Sequence, residues 1–193
     1  KLLFSTPKLK VNRTLVDTIN LKLDNKNPSL NTNFSFKKIT SPNYTVRDLN
    51  LYTKKVNDTL YFRTDFTGGI ENEERFGLVF YYTIDKEKNS VFGVLESKIF
   101  FKEKEWHINP EGNKNNKLIF DFREQEYEIK ELELLTEGQA IIFDGVMRDS
   151  TYKNFNMKFS NVNLDAIMPK IDSLSLDGVL DGHLNFKQEK GVY

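Results

Sequence analysis

Apolar and polar residues alternate with period two along most of this chain, and no other feature limits its folding as tightly. Successive side chains of a β-strand point to opposite faces, so sustained alternation marks a strand with one face kept from water. The longest run places Leu174, Leu176, Gly178, Leu180, Gly182, Leu184 and Phe186 on one parity, against Ser173, Ser175, Asp177, Asp181, His183, Asn185 and Lys187 on the other. Ile19, Leu21 and Leu23 alternate in the same way, as do Leu30, Phe34 and Phe36. Leu60 to Phe66 and Phe76 to Ile84 repeat the pattern on either side of Gly68-Gly69 and Glu71 to Glu74, which are expected to form a turn. Further strands are expected at Val91 to Leu95, Ile99 to Phe101, Trp106 to Ile108, Leu118 to Phe122, Ala140 to Val146 and Phe155 to Phe159. One short helix is expected, from Leu164 to Met168, capped by Asn163 and limited by Pro169.

Many short strands with almost no helix restrict the architecture to a sandwich, a closed barrel or an extended curved sheet. An internal repeat favours the last. Tyr44 to Leu51 matches Tyr127 to Leu134 in pattern, 83 residues apart (127 minus 44). In both copies the apolar phase slips by one residue, at Arg47-Asp48 and at Lys130-Glu131, and then resumes. An extra residue that bends a strand and returns its apolar side chains to the same face is a β-bulge. Bulged hairpins recurring near 44–66 and 127–146 imply a sheet that grows along one axis. Residues 1–193 are read as a single segment of a larger repeat-like chain, because the sequence opens directly in strand-like residues.

Composition narrows the function. The chain carries 28 basic and 28 acidic side chains dispersed along its length, so it has no concentrated basic face for nucleic acid. No run approaches the ~20 apolar residues of a membrane-spanning helix. It contains no cysteine, which removes disulfides, thiolate metal sites and cysteine nucleophiles together. His107 and His183 are far apart and out of phase with their apolar neighbours, as solvated strand residues would be. Glu124, Glu126 and Glu128 share one face of an extended segment but have nothing apolar around them to raise a pKa. Gly68-Gly69 lacks the helix and lysine of a phosphate loop. The sequons at Asn12, Asn43 and Asn57 are chance matches in an Asn- and Lys-rich chain. No catalytic set, metal site or cofactor site emerges, and the chain is not expected to be an enzyme.

The aromatic load is the remaining signal: 16 phenylalanines and 8 tyrosines, most of which must line the inward face. Alternation reports that this face avoids water and is silent on what covers it. A second sheet would pack it shut, whereas an open folded-over sheet would leave a channel for acyl chains.

A family resemblance bears on that choice. Trp106-His107-Ile108-Asn109-Pro110, then Leu118-Ile119-Phe120, Ile129 with Leu132 and Leu134, and Gln139 to Gly145 resemble the repeat pattern of TamB homologues from Bacteroidetes. So do Phe159 to Leu164 and the stretch from Met168-Pro169-Lys170-Ile171-Asp172 to Leu176-Asp177-Gly178-Val179-Leu180-Asp181-Gly182. The resemblance covers the C-terminal half, and the first hundred residues share only the strand pattern. It implies an AsmA-like architecture: an elongated curved antiparallel or mixed sheet folded into a half-pipe, or β-taco, with an apolar interior. It implies a periplasmic bridge that carries phospholipid, supports outer-membrane biogenesis and pairs with a TamA-type barrel of the BamA superfamily. The family's inner-membrane helix and its barrel-docking region are expected to lie outside this sequence. On this reading Leu78, Phe80, Tyr82, Leu118, Phe120, Phe122, Ile142, Leu176, Leu180, Leu184 and Phe186 line the lipid groove. The competing expectation is a closed β-sandwich used for adhesion or glycan binding through loops such as Asn109 to Lys117. A further one is a chaperone surface that offers sheet edges to nascent outer-membrane strands.

Overall fold

The computed structural model describes residues 1–24, 31–41, 44–69, 74–149, 151–167 and 177–189. Period-two alternation is realised as fourteen strands in one antiparallel sheet. Six long strands come first: β1 (Leu2–Val11), β2 (Thr14–Asp24), β3 (Asn31–Ser41), β4 (Tyr44–Val56), β5 (Thr59–Gly69) and β6 (Glu74–Ile84). Four short ones follow, β7 (Ser90–Val94), β8 (Ser97–Phe101), β9 (Lys104–Ile108) and β10 (Lys117–Asp121). The chain then returns to long strands, β11 (Glu126–Thr136), β12 (Gln139–Arg148), β13 (Tyr152–Asn163) and, after the one-turn helix α1 (Leu164–Ile167), β14 (Val179–Glu189). Leu30, Met168 and Leu174 to Leu176 lie outside the described residues.

Sequential hairpins set the strand order, which runs β1 to β7, then β10 to β14, while β8 and β9 bridge β6 to β11 beside β7 and β10. At ~4.8 Å per strand, the twelve strands on this path extend over roughly 50 Å. Every described strand belongs to this sheet, and among the described residues no second sheet lies on it. The accessible surface agrees: it is 13131 Å², against the ~9,500 Å² expected of a compact monomer of this mass.

Both bulges expected from the phase slips are present. The β4–β5 register shifts between Arg47 and Asn50, and the β11–β12 register between Ile129 and Leu132. Asp48 and Glu131 hold the left-handed conformation there, with φ of 51° and 41°. Two further left-handed residues sit in strands: Thr18 in β2, φ 53°, and Asn161 in β13, φ 53°. Thr18 precedes Asp48 by 30 residues (48 minus 18), and Glu131 precedes Asn161 by 30 (161 minus 131), so each half of the sheet repeats on a 30-residue hairpin. The next such step from Asp48 reaches Leu78, where β6 exchanges one partner strand for another, β8 at Gly77 and β7 at Phe80. One expectation is corrected. Gly68 and Gly69 form no turn but end β5, paired with Val46 and Thr45.

The junction of the four short strands is closed by polar side chains. Ser97, Asn109 and Asn116 are buried there. Val79 N–H donates to Ser97 Oγ at 2.8 Å, and Glu133 N–H to Asn116 Oδ1 at 3.0 Å. Asn109 Nδ2 donates to the carbonyls of Val94 and Asn113, at 2.8 and 3.0 Å, while its Oδ1 accepts Asn113 N–H. Where β7 and β10 end and β8 and β9 begin, these groups replace the missing ladder bonds. The main core lies beside this seam: Trp106 and Val162 are buried among Ile99, Phe101, Leu134, Ile141, Phe159, Ile167 and Leu180. Helix α1 covers that patch, and Lys102 Nζ ties it to the β8–β9 turn by a 2.7 Å bond to Asp165 O.

Candidate functional site: an uncovered apolar face

Directly paired residues in an antiparallel sheet project to the same face. Following the register therefore sorts the whole sheet into two surfaces. One row runs Tyr82, Phe92, Leu118, Ile129, Gly145, Phe155, Phe186 across seven strands. A neighbouring row runs Leu132, Phe143, Met157, Leu184, and in the first half another runs Phe4, Leu21, Phe34, Leu51, Thr64, Leu78. These rows lie perpendicular to the strands, along the long axis of the sheet. Aromatic rings are in contact along them: Phe62 with Phe80 at 4.9 Å, Phe80 with Phe92 at 4.7 Å, Phe66 with Phe76 at 4.5 Å and Phe143 with Phe155 at 5.7 Å.

Most of this face is only half buried, because side chains there pack beside one another and, among the described residues, no layer lies above them. Phe122 is 68 % exposed and Leu184 58 %. Leu78, Phe80, Leu118, Phe120 and Leu180 are half buried, and Tyr82 and Phe186 are exposed. Buried on this face are Trp106 and Val162, under α1, Ile19, Phe36 and Thr64 in the first half, and Gln188 on β14.

Nine of the sequence-derived lining residues share this face: Leu78, Phe80, Tyr82, Leu118, Phe120, Phe122, Leu180, Leu184 and Phe186. Leu176 lies outside the described residues. Ile142 does not belong with them. It pairs with Glu133 and Lys158, and Lys158 with His183, so Ile142 sits in a charged row on the opposite surface. It falls in the unbroken run Ala140 to Phe143, where no alternation exists to assign a face. Phe62, Phe92, Phe143 and Phe155 also belong to the apolar face and were missed; Phe62 and Phe155 carry the parity of their apolar neighbours, whereas Phe143 ends the unbroken run and Phe92 directly follows Val91.

The opposite face is mainly polar, with Val79, Val91, Ile119, Ile142 and Val146 among its apolar members. Asn156 donates to Asp144 at 3.1 Å, and Asn185 to Asn154 and Asn156 at 2.9 and 2.6 Å, forming an amide ladder across β12 to β14. The three glutamates noted in the sequence do not converge: Glu126 pairs with Arg148, and Glu128 with Lys130 at 3.4 Å. His107 Nε2 lies 3.2 Å from Glu105 on the surface, and His183 is exposed on β14. A cleft of about 490 Å³ on this side mixes Asp48, Asp65 and Glu105 with Arg75 and Lys98. Lys98 donates to Glu105 at 3.1 Å and holds that carboxyl below its ordinary pKa. Among the described residues, no cluster of three or more His, Asp or Glu could hold a metal ion, and no helix is long and apolar enough to cross a membrane.

No family model, curated protein or solved structure matches the chain.

Proposed function

We propose that this chain is a β-taco segment of a TamB-like, bridge-type protein that carries phospholipid through the periplasm on its apolar face. The observation that carries the reading is the uncovered apolar surface whose rows run along the long axis of the sheet, across strand after strand. A soluble monomer rarely leaves a contiguous apolar surface of this extent without an occupant. Acyl chains suit it, since each CH₂ withdrawn from water contributes about 0.8 kcal/mol without any directional contact. A lipid held that way can slide from row to row, with its headgroup in solvent and no chemical step. Curling of the sheet into a half-pipe, anchorage in the inner membrane and engagement of a TamA-type barrel complete the reading.

The closed sandwich is the weaker reading, because the described strands form one sheet. Its candidate binding loop is also committed elsewhere, with Asn109 and Asn116 buried in the strand junction.

Native mass spectrometry of the purified chain, with lipid extraction from the same sample, tests the proposal. Stoichiometric phospholipid is expected. It should fall severalfold in Phe120→Glu, with an unchanged far-UV circular dichroism spectrum, and stay at wild-type level in Ile142→Glu on the polar face. A lipid-free wild type, or equal lipid in all three proteins, would sink the assignment.

A further inference from the structure

A crease crosses the polar face of the first strands. On the apolar side, Val16, Ile39 and Val46 form one row with Gly68, while Ile19, Phe36 and Leu49 form the next, beside Phe66. Phe66 and Gly68 are alternate residues of β5, so both rows lie on the same face. In β2, β3 and β4, however, two residues rather than one separate the rows: Asp17-Thr18, Lys37-Lys38 and Arg47-Asp48. The extra residue doubles the number of polar side chains along this line. All six line one cleft of about 350 Å³.

Charge in that cleft is unbalanced. Lys38 lies directly opposite Arg47 across β3 and β4, with Lys37 next to it, and like charges opposite one another in a sheet are destabilising. Elsewhere the sheet answers its cations with carboxylates: Arg148 faces Glu126 and pairs with it, and Lys98 reaches Glu105. Among the described residues Lys37, Lys38 and Arg47 form no ion pair, although Asp17 and Asp48 line the same cleft. With Lys8, which faces Asp17 from β1, four cations stand against two carboxylates, a surplus of two positive charges (four minus two). Arg47 Nε is buried and has no hydrogen-bond partner. A donor cut off from water without an acceptor costs free energy that an arriving acceptor recovers.

From these features we infer that the crease is an oxyanion site and that its ligand is a phosphate group. A guanidinium takes an oxyanion through two parallel N–H groups, and ammonium groups add point charges from any direction. A tetrahedral dianion matches the surplus of two and offers acceptors to Arg47, Lys37 and Lys38 together. A planar carboxylate carries one charge and leaves a cation unanswered. Two sources share the phosphate chemistry: free phosphate with its soluble monoesters, and the headgroups of an anionic bilayer laid against the polar face. The site is on the surface opposite the apolar rows, so the inference does not depend on what those rows carry.

Nuclear magnetic resonance of the wild-type chain tests it first. The Arg47 Nε–H signal should shift and saturate on titration with inorganic phosphate, and stay in place with chloride at equal ionic strength. Phosphate should also raise the urea midpoint above its value in chloride, and Arg47→Gln, once circular dichroism shows it folded, should abolish that difference. Lys38→Gln separates a binding site from a structural role. It should bind phosphate roughly tenfold more weakly, yet be at least as stable as the wild type in chloride, because the like-charge contact is gone. Vesicles distinguish the sources. Cosedimentation with phosphatidylglycerol but not phosphatidylcholine vesicles, lost in Arg47→Gln, assigns the phosphate to a headgroup, whereas phosphate binding without such cosedimentation assigns it to a soluble ligand. An Arg47 signal indifferent to phosphate, an undiminished phosphate effect in Arg47→Gln, or a Lys38→Gln variant less stable than wild type in chloride would each overturn the inference.

Discussion

Thr18 shows how a single residue stores cost in this sheet. Its φ of 53° is a conformation that side chains branched at Cβ seldom adopt, yet it is exposed and lies opposite Lys37 in an unshifted register. A non-glycine residue in that region gives up about 1–2 kcal/mol, whereas glycine adds about 0.5–1 kcal/mol of unfolded-state entropy. Thr18→Gly should therefore raise stability by about 0.5–1 kcal/mol, seen as a higher urea midpoint at constant slope, while Thr18→Val should give no gain. Asp121 illustrates the electrostatic side. Arg123 holds it through Nε at 3.0 Å and Nη2 at 2.9 Å while reaching Glu87 O at 2.9 Å, so one guanidinium joins two turns. The hydrogen bonds from Arg123, with the backbone amides of Arg123 and Glu124, lower the Asp121 pKa from 3.8 to about 2. A carboxyl lowered in this way stabilises the fold above its unfolded pKa, and that contribution fades as pH falls from near 4 towards 2. Carboxyl titration by nuclear magnetic resonance should place Asp121 near 2 in the wild type and return it to the ordinary aspartate range in Arg123→Ala.

Among the elements, the four short strands stand out, because two long strands reach each other only through them. Asn109 is fully buried at their junction with three side-chain hydrogen bonds. Asn109→Ala leaves the Val94 and Asn113 groups unpaired, and at ~1–3 kcal/mol per unsatisfied buried group the variant should lose at least about 2 kcal/mol. Equilibrium unfolding in urea measures it, and a loss below 0.5 kcal/mol would mean water replaces the amide. This junction also explains what could be read from the sequence. The bulges at Asp48 and Glu131 were legible because each leaves a one-residue slip in apolar phase that the register preserves. The 30-residue hairpin period was not, since the short strands separate its two halves and leave only the 83-residue offset visible. Face assignment succeeded where alternation was strict, as at Leu184, and failed at Ile142, inside an unbroken apolar run; Phe80 also lies in such a run, Leu78 to Tyr82, and takes its parity from Phe76 and Ile84 outside it. Nothing in the spacing foretold the buried roles of Asn109 and Asn116, because a polar residue that replaces a ladder bond looks in sequence like a loop residue.

For the molecule as a whole, a single-layer sheet means that each strand is stabilised mainly by its immediate neighbours, so stability is distributed along one axis rather than around one centre. Its densest packing is the Trp106–Val162 core under α1, towards the β14 half. β1, at the far end, has Leu2, Leu3, Phe4, Leu9 and Val11 all exposed. Opening should begin at β1 and move inward, with amides of β1 and β2 exchanging with deuterium well before those of β9, β11 and β13. The chain contains one tryptophan, Trp106, so its fluorescence reports the core alone, while far-UV circular dichroism averages all the strands. The two signals should then separate in urea, the dichroism falling first and the fluorescence midpoint lying higher. Coincident transitions would show instead that the sheet unfolds as one cooperative unit, which a chain of locally stabilised hairpins would not do.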